Sequence, residues 1–164
     1  MYITHFKGLI TDRLIIARCT QSDIEPVLKL ISESAKEIAE YFTGHDFSSE
    51  AISDYLTLSE NQWHSGNIQP MVIIRKEDRE IIGMTGFEYQ DVGLWIGTKY
   101  TRQGYGREAL KAVVNLALND WGWDKVTAGV HRDNDASRTI AARTGFKVVS
   151  RKPKYFYLEI RNEN

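Results

Sequence analysis

A short segment with two glycines is the part of the sequence whose residue types most clearly suggest chemistry. It reads Thr101-Arg102-Gln103-Gly104-Tyr105-Gly106-Arg107 and is followed at once by apolar residues at helical spacing. Glycines allow a sharp turn and let backbone amides approach a ligand closely, and the amides at a helix start attract anions. Lys99, Arg102 and Arg107 add three positive charges nearby. The segment therefore predicts a diphosphate site, with an ordinary loop-to-helix transition as the alternative.

The same glycines fit the dinucleotide pattern G-x-G-x-x-G/A, and Asp124 follows 20 residues after Gly104. That pattern requires the glycines to follow a strand immediately and the acid to end the next strand. Here the polar stretch 98–103 comes first, and Asp124 precedes the apolar run that begins at Val126. We therefore do not expect a nicotinamide or flavin site.

The strands and helices that must position this segment are predicted from the spacing of apolar residues along the chain. Strands are predicted over 13–18, 71–75, 80–89, 93–96, 126–130, 146–150 and 155–160, with a tight connection at Gln90-Asp91-Val92. Helices are predicted from Ser22-Asp23-Ile24-Glu25, over Ser34–Phe42, from Ser48 or Ser49, over Gly106–Trp121 and over Asn134–Thr144, the last closed by Gly145. This order predicts one mixed α/β (α+β) domain over residues 1–164, with three layers around one sheet.

Composition excludes several classes of protein. The 164 residues are 42% hydrophobic and 26% charged with a net charge of −1, which is ordinary for a globular protein and argues against a nucleic-acid binder. No apolar run reaches the roughly 20 residues of a membrane helix, and the first residues lack the features of a signal peptide. Because Cys19 is the sole cysteine, no disulfide or cysteine metal cluster is expected. We expect a cytoplasmic protein without a metal.

Charge is unevenly divided along the chain. Residues 1–90 carry 8 basic and 14 acidic side chains, whereas residues 91–164 carry 13 basic and 8 acidic side chains. An anionic ligand is therefore expected in the second half. Chance clustering on solvated faces is the alternative.

Three groups of residues follow one another in a fixed order over residues 11–146. They are Thr11-Asp12-Arg13-Leu14-Ile15-Ile16-Ala17-Arg18; Gly93-Leu94-Trp95-Ile96 followed after seven residues by Gly104-Tyr105-Gly106-Arg107-Glu108-Ala109-Leu110; and Asn134-Asp135-Ala136-Ser137 with Gly145-Phe146. Together they resemble the GNAT family of acetyl-CoA-dependent N-acetyltransferases, and most closely its ribosomal-protein N-terminal (Rim-type) branch. The resemblance implies a GNAT-like fold with one mixed, mostly antiparallel twisted sheet flanked by helices.

The resemblance also implies which residues bind acetyl-CoA. Backbone groups of Leu94, Trp95 and Ile96 would pair with the pantetheine arm, as exposed strand edges pair with extended ligands that carry amides. The pyrophosphate would be held by the amides of Arg102, Gln103, Gly104, Tyr105, Gly106 and Arg107. Asn134 would bind the pantetheine, and Arg143 would reach a CoA phosphate or remain a solvated helix charge. Thr101 and Arg102 depart from the family pattern, where Gln or Arg and a glycine are usual.

Acetyl transfer to an amine requires a base, because the pKa of a lysine-like amine is about 10.4. Glu88 is the first candidate, since it shares a strand face with Met84 and Gly86 near the predicted hairpin end. Asp91 is the second candidate. An exposed acid or a simple turn residue is the alternative for each.

Two further groups would complete the reaction. A backbone N–H near Ile96 would stabilise the oxyanion. Ser137 would protonate or hydrogen-bond the leaving thiolate, because Ala141 occupies the position where the family often has a tyrosine. A helix-start hydroxyl and a helix N-cap are the alternatives for Ser137 and Asn134. His131, after a strand near this site, is a weaker suspect.

The resemblance, together with these candidate residues, implies transfer of an acetyl group from acetyl-CoA to a primary amine in a ternary complex. The acceptor would be a protein N-terminus or a small polyamine or aminoglycoside-like molecule, and the acidic first half favours a cationic one. A catalytically silent acyl-CoA-binding or sensing module is the alternative. Trp121-Gly122-Trp123 is a possible homodimer contact. No nucleic-acid or membrane partner is expected.

Overall fold

Residues 6–41 and 48–163 are described by the structure, which is a computed structural model. In these ranges the strands are β1 Leu9–Ile10, β2 Leu14–Arg18, β3 Ile68–Arg75, β4 Ile81–Glu88, β5 Asp91–Ile96, β6 Lys125–His131, β7 Lys147–Arg151 and β8 Tyr155–Arg161. The α-helices are α1 Ile24–Tyr41, α2 Ser49–Gln62, α3 Tyr105–Asn115 and α4 Asp135–Thr144. The strands form one sheet in the order β1-β2-β3-β4-β5-β6-β8-β7.

Helices cover both faces of this sheet, which confirms the predicted three layers. Val72 of β3 packs with Val27 of α1 and Leu56 of α2. Its neighbours Met71 and Ile73 belong to the cluster that contains residues of α3. Because side chains alternate across a strand, α1 and α2 lie on one face and α3 lies on the other. Full burial of each such apolar side chain contributes about 1.5–3 kcal/mol.

Among the strands that the structure describes, one neighbouring pair is parallel, and this pair diverges. β5 and β6 are paired at Asp91 and Thr127, whereas β5 pairs with β4 along its whole length, from Asp91 to Ile96. A long connection through α3 separates β5 from β6 in sequence, as parallel strands require. Beyond the paired position, the β6-facing edge of β5 therefore borders a gap within the sheet.

The two helices predicted before residue 43 are one continuous helix. The reciprocal cap lies at Thr20, whose N–H donates to Asp23 Oδ2 at 2.8 Å, so the prediction of a cap from Ser22 to Glu25 is wrong. Ser34 does not start a helix, because α1 runs unbroken from Ile24 to Tyr41. Its buried hydroxyl instead accepts the Thr98 N–H at 2.9 Å. The predicted end at Phe42 lies outside the described residues.

The two tryptophans proposed for a dimer contact are core residues. The ring centroids of Trp121 and Trp123 lie 5.7 and 4.9 Å from that of Phe87, and both side chains are buried. The proposal for this pair is therefore wrong, since neither ring is exposed. Between α3 and these residues, Leu116–Asp120 continue as a π-helix. No helix in the described part of the chain combines the length and apolarity needed to cross a membrane.

Candidate active site at the β5–β6 gap

The gap between β5 and β6 opens into a cavity of about 500 Å³ that reaches both faces of the sheet. Its lining is mainly apolar with a few polar groups, which is typical of small-molecule sites. On the α3–α4 face it is lined by Leu94, Leu110, Asn134, Ser137, Ile140 and Ala141; on the α1–α2 face it is lined by Ile31, Ile52, Tyr55, Met84, Glu88, Asp91, Trp95, His131 and Tyr155.

The glycine segment turns sharply before α3, as its sequence predicts. Gly104 is left-handed with a φ of 83°, and Arg102, which replaces a family glycine, adopts the same region with a φ of 61°. Among the described residues, none accepts a hydrogen bond from the backbone N–H groups of residues 102–107. These amides form a cluster at the helix start that could hold an anion.

The charges around the glycine segment are not all available to a ligand. Lys99 Nζ lies 3.1 Å from Glu33 Oε2, and this hydrogen bond raises the pKa of Lys99. Arg102 and Arg107 are exposed beside the segment. The predicted excess of positive charge at this site therefore rests on these two arginines rather than on all three cations.

The edge of β5 that faces β6 offers backbone groups of alternate residues. Gly97 N–H donates to Ile82 O, and the carbonyl of Gly93 accepts from the Thr85 hydroxyl, so odd-numbered residues turn towards β4. Hydrogen-bonding groups alternate between the two sides of a strand, so those of Leu94 and Ile96 face the gap. Of the three predicted residues, Trp95 instead contributes its side chain to the α1–α2 face.

Helix α4 brings Asn134 and Ser137 to the cavity but not Arg143. The Asn134 side-chain oxygen accepts the Ser137 N–H at 3.1 Å, so this residue is the N-cap and only its Nδ2 group remains to donate to a ligand. Ser137 lines the cavity. Arg143 is exposed in the last turn of α4, where its charge favours the negative helix end.

Two carboxylates stand side by side at the end of the β4–β5 hairpin. The turn is Tyr89-Gln90, with φ values of 50° and 73°, rather than the predicted Gln90–Val92. This two-residue turn pairs Glu88 with Asp91, and paired residues project on one side of a sheet. Both therefore face the α1–α2 side of the cavity.

The environment of Asp91 favours its protonated form. Although the Asp91 side chain is exposed, desolvation by neighbouring groups and the negative charge of Glu88 raise its pKa, and the Thr127 hydroxyl opposes this by donating to Asp91 Oδ1 at 2.8 Å. A carboxylate whose pKa is raised towards working pH is a better general base. The two sequence candidates for the base thus lie side by side, and the raised pKa of Asp91 would suit that role.

Sequence reasoning missed Tyr55 as a cavity residue and ranked His131 low. Burial and the charge of Glu88 raise the pKa of Tyr55 to about 12, so its hydroxyl remains a donor at neutral pH. The rings of His131 and Tyr155 meet edge to face at 5.4 Å. These residues come from α2, β6 and β8, and no local spacing in the sequence connects them. Among the described residues no group of three or more His, Cys, Asp or Glu side chains could hold a metal ion.

Comparison with known proteins decides the family. Residues 13–147 match the family described as "Acetyltransferase (GNAT) domain". The chain belongs to the GNAT acetyltransferase family. This GNAT acetyltransferase is 27% identical over 161 residues to uncharacterized N-acetyltransferase YoaA of Bacillus subtilis (strain 168). The aligned region covers 93% of this chain and 89% of that protein.

Solved structures agree with this fold. Ribosomal-protein-S5-alanine acetyltransferase from Vibrio fischeri has a TM-score of 0.85 at 14% identity, covering 96% of this chain and 97% of that one. RimL, the ribosomal L7/L12 alpha-N-protein acetyltransferase in complex with coenzyme A, has a TM-score of 0.81 at 13% identity. The match covers 93% of this chain and 96% of that one. The GNAT fold and the likeness to ribosomal-protein acetyltransferases are thereby confirmed.

Proposed function

We propose that this acetyltransferase transfers an acetyl group from acetyl-CoA to a primary amine by direct attack in a ternary complex. One observation carries the proposal: one cavity at the β5–β6 gap is lined by residues from both faces of the sheet. On one face its lining residues Leu94 and Ile140 adjoin Gly106 in the segment with unpaired amides, and on the other face it is lined by two carboxylates. Donor and acceptor can then meet in the gap without a covalent enzyme intermediate.

On the α3–α4 face, the chain's own groups suit acetyl-CoA. The amides of residues 102–107 would bind its diphosphate, and the gap-facing groups of Leu94 and Ile96 would pair with the pantetheine arm. Asn134 Nδ2 would donate to a pantetheine carbonyl. RimL, which has a similar fold, is known with coenzyme A bound.

On the α1–α2 face, the carboxylate pair would prepare the nucleophile. Asp91 would accept a proton from the ammonium group of the acceptor, and Glu88 would hold that ammonium by charge. The neutral amine then attacks the thioester carbonyl, and the N–H of Ile96 would stabilise the oxyanion. When the C–S bond breaks, the second proton lost by the nitrogen would pass to the departing thiolate, to which Ser137 would donate a hydrogen bond.

The lining favours an acceptor with one amine next to an apolar surface. Among the described lining residues, only Glu88 and Asp91 carry carboxylates, and Ile52, Met84 and Trp95 surround them. A polyamine would need further acids along its length. A protein N-terminus suits this lining better, in keeping with the printed names of the similar ribosomal-protein enzymes.

The test is an assay of free CoA thiol with acetyl-CoA and three acceptor classes: short peptides, spermidine and an aminoglycoside. We expect CoA release with at least one peptide, together with a product heavier by one acetyl group. Release with spermidine or the aminoglycoside alone would refute the peptide acceptor. Binding of CoA without release over the whole panel would favour the silent acyl-CoA-binding module.

A further inference from the structure

The glycine segment has a conformation that its own residues do not favour. Arg102 has a φ of 61°, and a left-handed conformation costs a residue with a side chain roughly 1 kcal/mol. Residues 101–104 are exposed, and no described residue accepts a hydrogen bond from the amides of residues 102–107. Such a conformation persists only where surrounding groups impose it.

The guanidinium of Arg13, which lies in the turn between β1 and β2, is the group that contacts this segment. Its Nη1 donates to Gln103 O at 2.8 Å, and its Nε donates to Glu108 Oε2 at 2.8 Å. The same group lies 4.3 Å from the centre of the buried Tyr105 ring. One planar side chain therefore holds three residues, Gln103, Tyr105 and Glu108, that lie 90 or more positions from Arg13 in the sequence.

Glu108 is in turn fixed by the same β1–β2 turn. The Thr11 hydroxyl and the Arg13 N–H donate to Glu108 Oε1 at 2.6 and 2.8 Å. Desolvation raises the pKa of Glu108, but these hydrogen bonds and the Arg13 guanidinium outweigh it, so the net shift is downward. Lys76 anchors the turn, since its N–H donates to Arg13 O at 2.9 Å and its Nζ donates to Thr11 O. The brace, defined as Thr11, Arg13 and Glu108, is thus rigidly connected to the sheet.

We propose that Arg13 is a positioning residue that holds the glycine segment ready for the diphosphate of acetyl-CoA. This inference rests on the proposed function. If only a fraction of molecules has the competent loop, the apparent Kd rises in inverse proportion to that fraction. In this role Arg13 acts by keeping the fraction near one, through the bonds that its Nη1 and Nε donate to Gln103 O and Glu108.

A comparison of the Arg13→Lys and Arg13→Ala variants separates this positioning role from simple charge attraction. A lysine keeps the charge but cannot donate to Gln103 O and Glu108 at the same time, because it lacks the planar fork of donors. If Arg13 acts as a brace, Arg13→Lys weakens CoA binding nearly as much as Arg13→Ala. Glu108→Gln also weakens it, although this change removes a negative charge from the phosphate side.

The experiment is calorimetric titration of CoA into the full-length protein and its Arg13→Ala, Arg13→Lys, Glu108→Gln and Arg13→Ala/Glu108→Gln variants. The control is Arg161→Ala, which removes another exposed guanidinium, paired at 2.6 Å with Glu159 far from the loop in sequence. We expect Kd to rise about tenfold or more for both Arg13 variants, with non-additive effects of Arg13 and Glu108 and no change for Arg161→Ala. At saturating acetyl-CoA, kcat should stay within about twofold, so the defect appears in KM.

Three results would overturn the brace: wild-type affinity in Arg13→Lys, unchanged or tighter binding in Glu108→Gln, or a fall in kcat without a change in KM. Amide NMR of the ligand-free protein tests whether the brace orders the glycine segment. Arg13→Lys should shift or broaden the signals of residues 102–107, and unchanged signals would contradict the proposal. If the wild-type protein binds no CoA but these signals change in Arg13→Lys, the proposed function is wrong, whereas the brace is still supported.

Discussion

The two faces of the cavity are built on different principles. On the α3–α4 face, the groups proposed for the donor are mostly backbone amides and carbonyls, held by a loop, a strand edge and a helix start. On the α1–α2 face, the groups proposed for the acceptor are side chains from α2, β4, β5, β6 and β8. A backbone site tolerates side-chain change, whereas a side-chain site changes its chemistry with each substitution. Substitutions on one face should therefore alter one substrate only.

The largest effect is expected on the acceptor face. Asp91→Asn should lower kcat about 100-fold or more, because the amide cannot accept the proton of the attacking ammonium. Steady-state rates with the best peptide acceptor measure this change. Glu88→Gln should raise the acceptor KM and lower kcat less. The Kd for CoA should stay unchanged in both, and a lost CoA affinity would contradict the separation of the faces.

The next effect is expected on the donor face. Gly104→Val should raise the Kd for CoA about 10- to 100-fold, because a β-branched residue is strained by about 1–3 kcal/mol at a φ of 83°. A Cβ there would also lie 3.2 Å from Arg13 Nη2. Gly66→Val is the control, since Gly66 has a φ of 81° in a different turn. Equal loss of CoA affinity in both variants would mean that general destabilisation, not the loop, causes the change.

The pH profile should sharpen the assignment of the base. Because Asp91 would act in its ionised form and its pKa is raised, activity should fall as pH falls through a pKa above the ordinary value of an aspartate. Thr127→Val removes the hydrogen bond that lowers this pKa, so the acid limb should move to higher pH. The profile of kcat/KM measures both. A limb that moves to lower pH, or not at all, would exclude Asp91 as the base.

The smallest effect is expected from Ser137. Ser137→Ala should lower kcat about tenfold, because a hydrogen bond to the charged sulfur contributes about 1.5 kcal/mol or more. Rates with thioesters of better leaving groups should recover towards wild type. Ser32→Ala, which removes an exposed hydroxyl in α1, is the matched control. A fall of more than 100-fold would mean that Ser137 is an essential proton donor.

The donor face could be predicted from the sequence because its signals are local. Gly104 and Gly106 mark the turn, Asn134 caps α4 through the Ser137 N–H, and Gly145 ends that helix with a φ of 110°. Each feature involves residues a few positions apart, so spacing alone reveals it. The strands and helices around them followed from hydrophobic periodicity in the same way.

The brace and most of the acceptor face could not be predicted, because they depend on residues far apart in the chain. Glu88 and Asp91 are the exceptions, since one hairpin brings them together. Tyr55 meets Glu88 only after α2 packs on the sheet. Ser34 suggests a helix start, yet its hydroxyl binds Thr98 across 64 positions. Arg13 and Glu108 each belong to a family motif, but nothing in the motifs indicates that they pair. Tertiary packing decides these contacts, and sequence periodicity carries no information about them.

The most direct test of the account is a calorimetric comparison of CoA, 3′-dephospho-CoA and pantetheine. If the amides of residues 102–107 hold the diphosphate, the first two ligands should bind with similar affinity, and pantetheine, which lacks the diphosphate, should bind at least about 100-fold more weakly. The amide NMR signals of residues 102–107 should shift with the first two ligands only. Equal affinity for pantetheine and CoA would contradict the central claim.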